Sequence, residues 1–215
     1  MRFAVLGTGM VGQAIATKLV ALGHEVTMGS RQAGNPGAAE WAAAQGATGR
    51  EGSFAEAAAF GEVVVNCTAG AHSLEALEAA GAANLAGEVL VDIANPLDAS
   101  RGFPPTLTVC NSDSLGEQIQ RANPEARVVK ALNTMNCDVM VEPGTVPGTH
   151  HTFICGDDAE AKGRVAELLR TFGWPEESID LGDITAARGT EMYVALWLRL
   201  YGALGTGHLN IAVVR

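Results

Sequence analysis

Residues 3–12 read Phe3-Ala4-Val5-Leu6-Gly7-Thr8-Gly9-Met10-Val11-Gly12, an apolar run that breaks into a glycine pattern, and a helical stretch from Gln13 to Leu22 follows. A strand, a G-x-G-x-x-G turn and a helix in that order are the context in which the pattern signals a dinucleotide site. Gly7 permits the tight turn, Gly9 lets a pyrophosphate approach the backbone, and Gly12 lets the helix sit close to the strand. Thr8, Met10 and Val11 complete the turn and count with the glycines as cofactor-binding candidates. The start of the helix adds free N–H groups and the positive end of a dipole.

A second strand, His24 to Met28, ends at Gly29-Ser30-Arg31. Sites for NAD usually place Asp or Glu here, where a carboxylate accepts hydrogen bonds from the ribose 2′-hydroxyl. A carboxylate would repel a 2′-phosphate, whereas the Ser30 hydroxyl and the Arg31 guanidinium attract one, the guanidinium with two parallel N–H bonds. The expected cofactor is therefore NADP(H).

Working outward, further apolar runs alternate with helical segments. Strands are expected at Glu62–Cys67, Val89–Ile93, Arg127–Ala131, His151–Cys155, Ser178–Leu181 and His208–Val213. Helices are expected at Ala38–Ala44, Phe54–Phe60, Ser73–Ala80, Leu115–Arg121, Ala159–Phe172 and Thr185 to about Leu204. Continuous apolar strands between helices indicate a parallel sheet covered on both faces. The fold class is α/β, a Rossmann-type doubly wound parallel sheet with a small C-terminal α+β domain. The Pro143–Gly148 stretch marks the boundary, with a nucleotide domain at 1–148 and a dimerisation and substrate domain at 149–215.

The chain has 215 residues and a formal net charge of −10, which argues against nucleic acid or an anionic membrane as partner. Cys67, Cys110, Cys137 and Cys155 are widely spaced, so neither a disulfide framework nor a zinc site is readable. A strand begins at once without a secretory pattern, and a reduced cytoplasmic setting is the expectation. The most apolar segment, Met192–Leu204, contains Arg199 and is too short to span a bilayer. Because that helix is apolar nearly all round, a homodimer is expected to cover it.

Ligands of doubly wound sheets bind beyond the carboxyl ends of the strands. Such ends are Gly7–Gly12, Ser30-Arg31, Thr68–His72, Asn95-Pro96 and Leu132–Cys137. Cofactor-binding candidates from the later segments are Thr68, Ala69, Gly70, His72, Asn95, Pro96, Asn133, Thr134 and Met135. No G-x-S-x-G elbow, H-E-x-x-H or P-loop lysine is present, and no acid–base pair stands out. His150 and His151 are neighbours in a strand and point to opposite faces, so no metal site is expected. This sparseness suits hydride transfer between two bound cofactors, which needs positioning more than a proton shuttle.

Gly7-Thr8-Gly9-Met10-Val11-Gly12, Gly29-Ser30-Arg31, Val128-Val129-Lys130-Ala131-Leu132-Asn133-Thr134 and the apolar C-terminal helix resemble the NADPH:coenzyme F420 oxidoreductase family. The likeness runs over nearly the whole chain, and the nucleotide domain is also similar to the cytosolic part of the STEAP metalloreductases. The resemblance implies a homodimer in which a deazaflavin, coenzyme F420, stacks over nicotinamide. By position, Thr8, Ser30 and Arg31 would hold the adenosine phosphates, Ala69, Gly70 and His72 would border the cofactor, and Asn133 and Met135 would be the catalytic pair beside the nicotinamide. Archaeal members carry His and Ile at those two positions, whereas STEAP-like members carry Asn at the first. Asn cannot titrate. An NADPH-dependent reductase of FAD, FMN or another small acceptor therefore stands beside the F420 reading, as does an NADPH-binding sensor without turnover. Arg188 is the candidate cation for the acidic tail of the deazaflavin.

Overall fold

In a computed structural model describing residues 1–174 and 178–214, β1 (Arg2–Leu6) runs into the glycine turn, followed by α1 (Met10–Ala21) and β2 (Glu25–Ser30). The Asn35 side chain caps α2 (Pro36–Gln45) by accepting from the Ala38 N–H at 3.1 Å, and β3 (Gly49–Ser53) follows. Ser53 and Glu56 cap α3 (Phe54–Phe60) reciprocally, satisfying two N–H groups that a helix start leaves open. Then come β4 (Val63–Asn66), α4 (Ser73–Ala80), α5 (Ala82–Leu85) and β5 (Val89–Asp92). A small ribbon of β6 (Leu97–Asp98) and β7 (Thr106–Leu107) precedes α6 (Leu115–Ala122), β8 (Arg127–Ala131) and α7 (Cys137–Val141). The last elements are β9 (Phe153–Cys155), α8 (Ala159–Phe172), β10 (Ile179–Asp180) and α9 (Ala187–Leu204).

The main sheet has eight strands in the order β10-β9-β8-β5-β4-β1-β2-β3. From β3 to β8 all neighbours are parallel; β9 pairs antiparallel with β8, and β10 runs parallel to β9. The chain winds from β1 outward through β2 and β3, then crosses back to β4, so the strand order reverses between β1 and β4. That reversal is where an open α/β sheet leaves a crevice beyond its strand ends.

Alternation along β1 feeds both faces. Phe3 and Val5 join Ile15, Leu19 and Met28 in one buried layer, while Ala4 and Leu6 join Val64, Leu77 and Leu90 in the other. Each fully buried side chain of this kind contributes about 1.5–3 kcal/mol relative to exposure. The sheet and the first layer continue past residue 148, since Ala161, Val165, Leu169 and Phe172 of α8 share the cluster of Phe3 and Val5.

Two elements differ from the sequence reading. His208–Val213, expected as a strand, has no ladder; it is a tail attached by the His151 N–H to the Ile211 carbonyl at 2.9 Å and by Asn210 Nδ2 to the His151 carbonyl. One backbone-to-backbone bond, with the other attachments made by side chains, does not propagate a strand. Conversely, Gly49-Arg50-Glu51-Gly52-Ser53 forms the edge strand β3 without one large apolar residue, held by its five-residue register with β2.

Helix α9 buries Ala187, Thr190, Glu191, Val194 and Leu198 along one stripe. Its opposite face leaves Met192 and Leu196 exposed, and Tyr201 and Leu204 are exposed in its last turn. Among the described residues no helix is long and apolar enough to cross a membrane.

Arg188 anchors α9 to α6 through two charge-assisted bonds to Glu117, Nε to Oε2 at 2.8 Å and Nη2 to Oε1 at 2.5 Å. The guanidinium holds the Glu117 carboxyl below the usual carboxylate range. Its stabilisation is full above the ordinary glutamate pKa and disappears as pH falls through the depressed value. Arg188→Ala should therefore move the acid-unfolding midpoint, followed by circular dichroism, to higher pH. An unchanged midpoint would show that the pair adds nothing to stability.

Candidate nucleotide-binding site

The turn after β1 is built by close approaches that exclude a side chain. Gly7 has φ +119°, and a Cβ there would lie 2.7 Å from the Cys67 carbonyl oxygen. A Cβ on Gly12 would lie 2.0 Å from the Gly7 carbonyl oxygen, so α1 can seat on the turn only without one. At Gly9, by contrast, nothing lies within 4 Å of the position a Cβ would take. Gly9 is also the N-cap of α1, with no capping side chain and no acid in the first turn. Backbone N–H groups at an uncapped helix start beside open space are what a pyrophosphate requires. The residues present thus fit a dinucleotide.

From this turn a cleft of about 520 Å³ extends across the ends of β1, β2 and β4. It brings together Gly7, Thr8, Gly9, Ser30, Arg31, Thr68, Ala69 and His72 of the sequence-derived candidates. Asn35, Phe54, Glu75, Ala76 and Ala79 also line it. Phe54 escaped the sequence reading because β3, which delivers it, carries no apolar signal. Arg31 is exposed, and among the described residues it makes no ion pair. Ser30 is buried and its hydroxyl donates to the Gln32 carbonyl at 2.6 Å, so it must rotate before it can donate to a phosphate. The His72 ring lies 3.7 Å from the Glu75 carboxylate at the start of α4.

The remaining candidates do not line that cleft. Met10 is 81% exposed at the start of α1. Asn95 and Pro96 follow β5, and Asn133, Thr134 and Met135 follow β8, with the last three buried. A Cβ on Gly70 would lie 2.0 Å from the Asn95 carbonyl oxygen, so the loop after β4 rests directly on the loop after β5. Asn95 and Asn133 exchange two hydrogen bonds: Asn95 Nδ2 donates to the Asn133 carbonyl at 2.8 Å, and Asn133 Nδ2 donates to Asn95 Oδ1 at 3.0 Å. Leu132, between β8 and Asn133, has φ +60°, a left-handed backbone that costs a non-glycine residue of order 1 kcal/mol or more. Thr134 Oγ1 is buried without a partner among the described residues.

Beneath these loops lies a polar row that the sequence reading did not find. Asn66, Asp92 and Lys130 are register partners at the ends of β4, β5 and β8. Thr68 Oγ1 donates to Asn66 Oδ1 at 2.7 Å, Asn66 Nδ2 to Asp92 Oδ1 at 2.9 Å, and Lys130 Nζ to Asp92 Oδ2 at 2.7 Å. Lys130 Nζ also donates to the Ala94 carbonyl at 2.5 Å and meets Glu191 Oε1 of α9 at 2.8 Å. Burial alone would lower the Lys130 pKa, but the carboxylates of Asp92 and Glu191 outweigh it and raise the value. Charged residues inside Val128-Val129-Lys130-Ala131 and Val89-Leu90-Val91-Asp92 were the available signal, since a buried charge needs a partner.

The thiols and imidazoles have structural surroundings. Burial and the nearby Asp92 push Cys67 up, and burial pushes Cys155 up to about 12. His150 pairs with the Pro143 carbonyl and the Asn210 amide, while His151 Nδ1 accepts from the Val213 N–H. Arg188 spends its guanidinium on Glu117.

The two kinds of glycine should separate by substitution. Gly12→Ala should cost about 1–3 kcal/mol in thermal or urea unfolding, the range for overpacking, whereas Gly9→Ala should unfold like the parent and lose dinucleotide affinity. Equal stability of the two variants would contradict the close approach at Gly12.

The family described as coenzyme F420-dependent NADP oxidoreductase matches residues 2–96. A crystal structure from Arthrobacter sp. FB24, described provisionally as an F420-dependent NADP reductase, is 53% identical with a TM-score of 0.93, and covers 100% of both chains. Metalloreductase STEAP3 of Rattus norvegicus is 31% identical over 199 residues, 93% of this chain, but the chain spans only 37% of that protein. A reductive aminase of Aspergillus terreus solved with NADPH and ethyl levulinate shares the fold at 19% identity and a TM-score of 0.67, covering 95% of this chain and 62% of that one. With a Rossmann-type sheet, a glycine turn open at Gly9 and an end-to-end match at 53% identity, the chain belongs to the coenzyme F420-dependent NADP oxidoreductase family and is an NADP-dependent oxidoreductase.

Proposed function

We propose that this protein transfers a hydride between NADP(H) and the deazaflavin coenzyme F420. The observation that carries the nucleotide half is the conjunction of an uncapped, open helix start at Gly9 with an exposed Arg31, free of ion pairs among the described residues, in the same cleft. Met10, Val11 and Gly12 offer backbone N–H groups to the pyrophosphate. Arg31 grips the 2′-phosphate, with Thr8 beside it and Ser30 donating once its hydroxyl leaves Gln32. Thr68, Ala69, Gly70 and His72 border the nucleotide, while Asn95, Pro96, Asn133, Thr134 and Met135 form the nicotinamide end. NADP(H) supplies or receives the hydride when bound. The contribution of Asn133 and Met135 is orientation and exclusion of water, which can lower a barrier without a titrating group.

A second acceptor class, FAD or FMN, stands beside it, because the one cation assigned to the deazaflavin tail is already engaged. Arg188, the cation expected to meet an acidic cofactor tail, is neutralised by Glu117. Stopped-flow oxidation of NADPH with coenzyme F420, FMN and FAD in parallel decides between them. Turnover with F420 alone supports the deazaflavin reading; turnover with flavins alone replaces it; no turnover with any leaves an NADPH-binding protein and overturns both.

The exposed face of α9 is proposed as a homodimer contact between two copies of the helix. Met192 and Leu196 lie on that face with Arg199 as its charged residue, Leu204 is exposed in the last turn, and a twofold axis would set this surface against itself. Leu196→Asp should convert a dimer to a monomer in analytical ultracentrifugation; a monomeric parent would refute the contact. At the nucleotide, Arg31→Ala should weaken NADPH binding by about 1.5–3 kcal/mol, the worth of a charge-assisted hydrogen bond, and leave NADH nearly unaffected. Equal losses for both would remove Arg31 from the 2′-phosphate.

A further inference from the structure

Lys130 lies wholly out of solvent, yet its hydrogen bonds lead toward the loops after β5 and β8, the ones assigned above to the nicotinamide. We propose that Lys130 is a positioning residue for hydride transfer, fixing Ala94 and, through Asn95, the Asn133–Met135 segment against the turn that carries Thr68. The proposal rests on the hydride-transfer reading above.

An ammonium has three protons to donate. Those of Lys130 meet Asp92 Oδ2, the Ala94 carbonyl and Glu191 Oε1, so none is left for a ligand. Lys130 therefore acts only through its partners. The Ala94 carbonyl is the last backbone acceptor before Asn95, and Asn95 holds Asn133 by two reciprocal hydrogen bonds. The same ammonium fixes Asp92, which holds Asn66, which holds the Thr68 backbone and hydroxyl. One charge thus sets the relative placement of the loops after β4, β5 and β8.

Cohesion alone would not require this arrangement. An apolar trio of similar volume can replace a buried ion cluster with little loss or even a gain in stability. Apolar contacts are non-directional, however, and cannot aim a carbonyl. The left-handed backbone of Leu132 has to be held from outside, and the Asn95–Asn133 pair sits immediately after it.

Two variants test the proposal: the charge-free Lys130→Met/Asp92→Asn/Glu191→Gln, and Asn95→Ala, which leaves the cluster intact. Both should keep the parent's preference for NADPH over NADH, because Arg31 and the glycine turn are untouched. In both, the fluorescence anisotropy of bound dihydronicotinamide should fall, and deuterium from face-labelled NADPH should transfer from both faces. Single-turnover transfer should drop about 100-fold, the scale set by a misplacement of an ångström. A folded triple variant with the parent's anisotropy and a rate within about threefold of it overturns the proposal and leaves Lys130 a structural residue. Should the triple variant not fold, Asn95→Ala decides, since parental anisotropy there breaks the link from Ala94 to Asn133. A parent that transfers no hydride overturns the functional reading by itself, while the anisotropy comparison still decides the role of Lys130.

Discussion

A lysine ammonium in the middle of a two-sided parallel sheet can exist only if its charge is answered on the spot, and Lys130 is answered by three oxygens from three parts of the chain. Asp92 comes from the neighbouring strand, Ala94 from the loop that strand feeds, and Glu191 from the last helix. Two carboxylates against one ammonium leave a net negative charge, and the start of α6 answers that in turn. The Leu115 and Gly116 N–H groups donate to the Glu191 carboxylate at 2.8 and 3.0 Å, where a helix dipole places about half a positive charge. Removing Lys130 would leave two buried carboxylates without their cation, at a cost of about 3–5 kcal/mol. Strands β4, β5 and β8 and helices α6 and α9 are therefore held in one relative arrangement by electrostatics as well as by packing.

Upon that frame the cleft and the loops after β5 and β8 follow different physics. In the cleft, the turn works by leaving things out: side chains at Gly7 and Gly12, a capping group at Gly9, an acid after β2. In the loops after β5 and β8, Asn95 and Asn133 are locked to one another by two hydrogen bonds.

The sheet, the helices flanking it and the nucleotide turn were legible because each depends on a local pattern. Apolar runs such as Val63-Val64-Val65 mark buried strands, and the glycine spacing marks the turn. What was not legible depends on partners distant in sequence. Strand β3 forms because β2 offers a free edge, and no residue of Gly49–Ser53 announces it. The tail at His208–Val213 has strand-like composition, but its backbone accepts one bond, from the His151 N–H, and finds no edge to extend. Asp92 accepts from the Ala94 N–H at 3.2 Å, a local contact, whereas its bond to Lys130 reaches across the sheet to a residue 38 positions away. Arg188 likewise has a partner, Glu117, that lies 71 residues away.

The two margins of the main sheet bear on how molecules of this protein can accumulate at high concentration. One margin is β3, whose Arg50 is paired with Glu25 and covers the Phe60 ring; the other is β10, two residues long and tied through Asp180 to Lys162. Charged or very short borders of this kind are poor templates for adding a foreign strand. Growth by strand addition, which has no natural end and leads to fibres, is thereby discouraged at both sides. A twofold contact between helical surfaces, by contrast, closes on itself and stops at a finite particle.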